Sequence, residues 1–268
     1  MLKEVKPLHC QNVLNQMSVS DYGDSTIGLT RITMSVFFDD AVDNGLLERN
    51  PVTKSVKSMR RKEPAPRKAM SAEEQRMFLE NAKNSSYYNQ YSIILQTGLR
   101  VGELTGLKWS DVDFDKKCIH IVRTMDHRSG EWKVNTAKSK SGRRDIPLTD
   151  RAIEILLNEK QKRRTSNVIP IEYHDFVFLS PNGKPILNSA YNIILSKLCK
   201  KSGIENFTMH ELRHTFATRC IEGGMTPKTL QEILGHANIG TTMDIYVHVT
   251  EDSKAREING IETMLNVM

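Results

Sequence analysis

The sequence predicts a mainly α protein with one small antiparallel sheet, in which a short helical region precedes a larger unit. Three observations predict it. Apolar residues recur at helical spacing over most of the chain, often behind capping signatures. Strand-like alternation is confined to the stretch from Lys117 to Leu148. A basic seam bearing two prolines, SVKSMRRKEPAPRKAM at residues 55–70, divides the chain unequally.

Before the seam, STIGLTRITMSVFFDDAVDNGLL carries apolar residues at helical spacing and stops near Asn44-Gly45 and Asn50-Pro51. The seam combines Arg60, Arg61, Lys62, Arg67 and Lys68 with Pro64 and Pro66, so it reads as extended and exposed. After it, Ser71 and Glu74 form a capping box, and YYNQYSIILQTG reads as a buried helix ended by Gly98. KCIHIVRT, EWKVNTA and RRDIPL alternate as strands, with turns at Arg128-Ser129-Gly130 and Lys140-Ser141-Gly142. They predict a three-stranded meander. Thr149 opens a helix through Gln161, and Phe176–Leu179 form a short apolar run before the turn Pro181-Asn182-Gly183. Helices follow, with Thr208 and Glu211 as a second capping box and Pro227 at a first helical position.

A chain of 268 residues can bury a substantial core. Hydrophobic residues make up 38% and aromatics 6%, and the net charge is +6 with a pI near 9.1. That balance favours a polyanionic partner, although a solvated basic surface has the same composition. Cys10, Cys118, Cys199 and Cys220 show no paired spacing and read as reduced packing residues. No signal peptide opens the sequence and no apolar run would span a bilayer, so the expectation is a soluble, cytoplasmic protein with no membrane partner.

The residues that carry chemistry are spread along the last two-thirds of the sequence. Arg100 sits in TGLRVGEL, His210 and Arg213 in HELRHTF, His236 in LGHANIGTT, and Tyr246 in DIY. Two arginines can hold a phosphoryl group through paired donors, and a tyrosine can attack phosphorus. Each residue has an ordinary structural reading: a solvated arginine, a helix-capping histidine, a half-buried tyrosine, or Arg100 paired with Glu103. Taken in this order they resemble the tyrosine recombinase (phage integrase) family over roughly residues 30 to 250. LGHANIGTT and DNGLLERNP resemble integrases of phages and conjugative elements.

The resemblance implies a DNA strand-transfer enzyme that forms a 3′-phosphotyrosine through Tyr246, most simply in integration and excision of a mobile element. It implies a core-binding domain over 1–62, here short for the family, a basic linker over 63–69, and a catalytic domain over 70–268. It also implies a general-acid lysine on the hairpin TAKSKSGRRDIPL. Register favours Lys138, with Lys140 the alternative, and leaves Lys140, Arg143, Arg144, Arg60, Arg61 and Lys62 as candidates for the DNA backbone. Glu103 would orient Arg100 from behind. The partners implied are double-stranded DNA and further copies of the chain in a tetramer. Accessory bending or directionality factors stay open. No metal or nucleotide cofactor is implied, because the covalent link conserves the ester.

Two other readings compete. His210-Glu211-Leu212-Arg213-His214 satisfies the zinc-protease pattern, with Glu232 as a possible third ligand. It leaves Arg100, Lys138, His236 and Tyr246 unexplained and sets Arg213 beside a dication. The other is a DNA-binding regulator of the same fold without chemistry.

Overall fold

A computed structural model describes residues 2–57, 69–136, 142–164 and 169–250. The chain divides into two compact units, 1–66 and 67–268.

The first unit is a helix pair, α1 (Pro7–Val19) and α2 (Asp24–Asp43). Pro7 suits the first turn of α1, where its missing N–H is no loss. α2 stops at Asn44, and Gly45 follows at φ 69°. Cys10, Leu14, Ile27, Phe38, Val52 and Val56 make the core. The returning segment is pinned by polar bonds: Asn50 donates to Asp39 Oδ1 at 2.7 Å and accepts from the Val52 amide at 2.7 Å. Arg31 donates to the Val56 carbonyl at 2.6 Å.

The second unit opens with α3 (Ala72–Ala82), whose capping box forms as the sequence predicts, Ser71 and Glu74 each bonding the other's amide. α4 (Tyr88–Thr97) is buried along most of its length and ends at Gly98, φ 65°. α5 (Val101–Gly106) begins three residues later. Beyond the strands come α6 (Asp150–Arg164), α7 (Asn188–Lys201), α8 (Met209–Glu222), α9 (Pro227–Leu234) and α10 (Ile239–Thr250). The main core gathers Phe78, Tyr91, Ile94, Leu104, Phe178 and Tyr191. A second cluster, Ala217, Ile221, Leu230, Leu234 and Ile245, joins α8, α9 and α10.

The strands depart from the predicted meander. KCIHIVRT breaks at Val122 into β2 (Cys118–Ile121) and β3 (Arg123–Arg128). β2 pairs with β1 (Val112–Asp113) and with β5 (Arg144–Pro147), giving the order β1-β2-β5, while β3 pairs only with β4 (Glu131–Thr136). The physical reason lies in what is buried. Ile119 stands opposite Ile146, and both face the core with Ile121. β3 instead lies along α5, where Gly102 and Gly106 permit the approach: a Cβ on Gly106 would stand 3.2 Å from the Met125 amide. The Ser129-Gly130 turn holds both residues at positive φ, 52° and 84°, as a two-residue hairpin demands. No helix among the described residues is long and apolar enough to cross a membrane.

Candidate functional site

Local sequence places each candidate side chain. Gly98 terminates α4 in the left-handed region, so the chain turns and sets Arg100 at the N-cap of α5 with Glu103 on that helix's first turn. Thr208 and Glu211 cap α8 by reciprocal bonds, Glu211 accepting from the Thr208 amide at 2.6 Å. His210 lies exposed in the first turn of α8, and Arg213, three residues on, points inward at 4% exposure. Gly235 ends α9 at φ 64°, and His236 follows immediately. Tyr246 is half-buried on α10, packed against the cluster that holds Leu234 and Ile245.

Three arginines from distant parts of the sequence meet at the end of α9. Arg144 donates to the Ile233 carbonyl at 2.5 Å, Arg213 to Leu234 at 2.7 Å, and Arg100 to Gly235 at 2.7 Å. Helix C-termini leave carbonyls unpaired and carry partial negative charge, so cations are well placed there. Arg213 reaches a second such end, donating to the Gly98 carbonyl of α4 at 2.6 Å. Beneath them Glu103, 2% exposed, accepts from both Nη atoms of Arg144 at 2.8 Å and from Nη1 of Arg100 at 2.8 Å. Burial alone would raise the Glu103 pKa. Hydrogen bonds and charge from Arg144, then the bonds and charge of Arg100, outweigh it and hold the carboxyl below the usual range.

Three guanidinium groups against one carboxylate leave an excess of positive charge in a largely buried place. Arg213 shows the consequence. Burial first, and repulsion from Arg100 and Arg144 after it, pull its pKa down to about 9 against the opposing pull of Glu103. Such a cluster gains from an anion. Arg100 is the arginine open to one, its side chain being 39% exposed. His236 stands beside it in sequence to Gly235, with Nδ1 2.9 Å from the hydroxyl of Thr242, which is fully buried on α10. That bond ties the histidine to the helix of Tyr246.

Arg100, Glu103 and Arg213 thus come together at the end of α9, and His236 follows Gly235, the residue whose carbonyl Arg100 bonds. Tyr246 is connected through the packing of α10 on α8 and α9. The Arg144 reading needs correction. Its side chain is 7% exposed and its guanidinium is taken up by Glu103 and Ile233, so it is an internal group and not a DNA-backbone contact. Arg143, beside it, is exposed. Lys138, Lys140, Arg60, Arg61 and Lys62 lie outside the described residues. Thr242 was missed as a partner of His236; its place six residues later on an apolar helix was the available signal. For the zinc-protease pattern, the His210 and His214 rings stack edge to face at 4.8 Å. Glu211 is occupied with its helix cap, and Glu232 pairs with Lys228. No group of three or more His, Cys, Asp or Glu side chains suited to a metal occurs among the described residues.

Helical units carrying small antiparallel sheets, with a cluster of three arginines and a tyrosine on the following helix, suit a class of protein that handles phosphodiesters. Residues 68–253 match the model of the phage integrase family, and the chain belongs to that family. It is 31% identical over 270 residues to the transposase from transposon Tn916 of Enterococcus faecalis, covering 96% of this chain and 66% of that protein. It is 30% identical to a XerC-like tyrosine recombinase of Caldanaerobacter subterraneus, covering 97% of this chain and 71% of that one. Among solved structures it resembles the Tn1549 transposon integrase in complex with a circular intermediate DNA. The TM-score there is 0.82 and the identity 26%, over 97% of this chain and 86% of that one. The chain therefore spans about two-thirds of the length of the Tn916 relative.

Proposed function

We propose that the chain is a site-specific DNA recombinase that cuts and rejoins strands through a 3′-phosphotyrosine, in the integration and excision of a mobile element. The observation that carries it is the convergence of Arg100 and Arg213 on the end of α9 beside His236, with Tyr246 on the next helix. The relatives named for transposons Tn916 and Tn1549 support the mobile-element role. A cytoplasmic location fits such a role.

In this reading a scissile phosphate displaces Arg100 from the Gly235 carbonyl and takes its donors, with Arg213 and His236 completing the clamp. Preorganised donors of this kind act most strongly where charge develops in the transition state. The Tyr246 oxygen attacks phosphorus, the bond from phosphorus to the 5′ oxygen breaks, and the phosphotyrosine stays on the 3′ end. His210 assists departure of the tyrosine proton or bonds the phosphate, and Lys138, with Lys140 as alternative, protonates the leaving 5′ oxygen. A 5′ hydroxyl from a partner duplex then attacks the phosphotyrosine and releases the tyrosine. Residues 1–62 would form the core-binding domain, 63–69 the linker and 70–268 the catalytic domain. Duplex DNA would be held in a tetramer, with Arg143, Arg60, Arg61 and Lys62 on the backbone.

The test is a nicked duplex built from the DNA junctions flanking the gene. The wild-type chain should leave an adduct that survives denaturant, and Tyr246→Phe should bind equally and leave none. An adduct that persists in Tyr246→Phe would refute the assignment.

A further inference from the structure

We infer that Arg144 is a positioning residue for strand cleavage: it neutralises Glu103 so that the carboxylate anchors Arg100 without capturing it, and it fixes the end of α9 that carries His236. The inference rests on the recombinase reading and extends it to a residue which that reading leaves without a role.

The geometry is specific. Glu103 is buried at 2% exposure, so it cannot be balanced by water and depends on its partners. Arg144 supplies a paired, fork-on-fork contact, Nη1 to Oε1 and Nη2 to Oε2, both at 2.8 Å. Arg100 supplies one side-chain bond, at 2.8 Å to Oε1, together with its own amide at 2.9 Å to Oε2. Arg144 is therefore the main counter-charge, and Arg100 is left with Nη2 on the Gly235 carbonyl, a neutral acceptor that a phosphate can replace. Were Arg144 absent, Glu103 would have Arg100 as its remaining close cation. A buried carboxylate with one arginine would draw that guanidinium into the fork geometry and away from a ligand.

The second contact points the same way. Nε of Arg144 bonds the Ile233 carbonyl, so one planar group ties β5, α5 and α9 together. The two other arginines bond the next two carbonyls along, Leu234 and Gly235. A shift in the last turn of α9 moves both acceptors and the neighbouring His236. Lysine cannot reproduce this, since it lacks the planar fork that spans a carboxylate and still reaches a carbonyl.

The test is a charge cycle in the full chain, read as the rate of covalent adduct on the nicked junction duplex, with thermal melting of each variant alongside. Arg144→Met should cut the rate about 10²-fold, the scale of a misplaced reacting group. Glu103→Gln alone should also slow cleavage, because Arg100 loses its anchor. Added to Arg144→Met, however, Glu103→Gln should raise the rate about tenfold, since the orphaned carboxylate is what captures Arg100. This reversal of sign separates positioning from mere loss of fold, which a second substitution would only worsen. If Arg144→Met does not fold, the same reversal is expected between Arg144→Gln, which is equally uncharged but polar, and Arg144→Gln with Glu103→Gln. Wild-type adduct with no reversal in either pair would overturn the role of Arg144 while leaving the recombinase reading intact. No adduct from the wild-type chain would refute the recombinase reading and this inference with it.

Discussion

Gly98 is where backbone conformation, packing and the arginine cluster meet, and Gly98→Ala perturbs all three. The residue holds φ 65°, and an alanine there pays the left-handed penalty of roughly 1–2 kcal/mol. Its Cβ would also collide with the Phe216 ring and stand 2.8 Å from Leu234 Cδ2, where contacts under van der Waals distance force neighbours to shift. Overpacking of this kind costs about 1–3 kcal/mol. Together the substitution should remove about 2–5 kcal/mol, which at this size lowers the melting temperature by roughly 4–20 °C. The proper control is Gly203→Ala, which has φ 68° with nothing within 4 Å of the new Cβ. It pays the conformational part alone, about 1–2 kcal/mol. Thermal and urea unfolding of the two variants separates the packing cost from the backbone cost. Gly98→Ala should also lose cleavage disproportionately, because the Gly98 and Leu234 carbonyls both hold Arg213. Equal destabilisation by the two alanines, with equal cleavage, would refute the reasoning.

Arg100→Ala and Arg213→Ala should each depress adduct formation by about 10²–10³-fold while altering DNA affinity far less, since one preorganised donor to a developing charge is worth that much; near wild-type cleavage by Arg213→Ala would mean the clamp is misassigned. Inorganic sulfate should raise the melting temperature beyond the effect of sodium chloride at equal ionic strength, because the cluster holds excess positive charge. Glu103, held below its usual pKa, contributes stability that is complete above the unfolded carboxyl's value of 4.5 and lost as pH falls through its lowered folded value; Glu103→Gln should flatten that part of an acid titration. A duplex with sulfur in place of the leaving 5′ oxygen should rescue Lys138→Ala and not Lys140→Ala, and the reverse would exchange their roles.

Much of this protein could be read from local signals, because those signals act locally. Ser71 with Glu74, Thr208 with Glu211, Gly98 and Pro227 mark helix ends through bonds within a few residues, and each helix end stands where they put it. The order Arg100, His210, Arg213, His236, Tyr246 pointed to phosphodiester chemistry for the same reason, that residue type limits what a side chain can donate or attack. Strand pairing was beyond such signals. Alternation shows that Ile119, Ile121 and Ile146 share a buried face, but it is blind to which strand lies alongside, so the β3–β4 hairpin was folded into a meander it does not join. Arg144 shows the same limit in the site. In the sequence it is one of several basic residues around a turn; the family pattern matches it to a basic position before Ile146-Pro147, yet it was grouped with exposed Arg143 as a candidate for the DNA backbone. Only the tertiary structure brings β5 against the end of α9 and the buried carboxylate of Glu103. The charge of a residue is written in its sequence, whereas whether that charge meets water, a ligand or a buried partner depends on neighbours that folding supplies from 41 and 89 positions away.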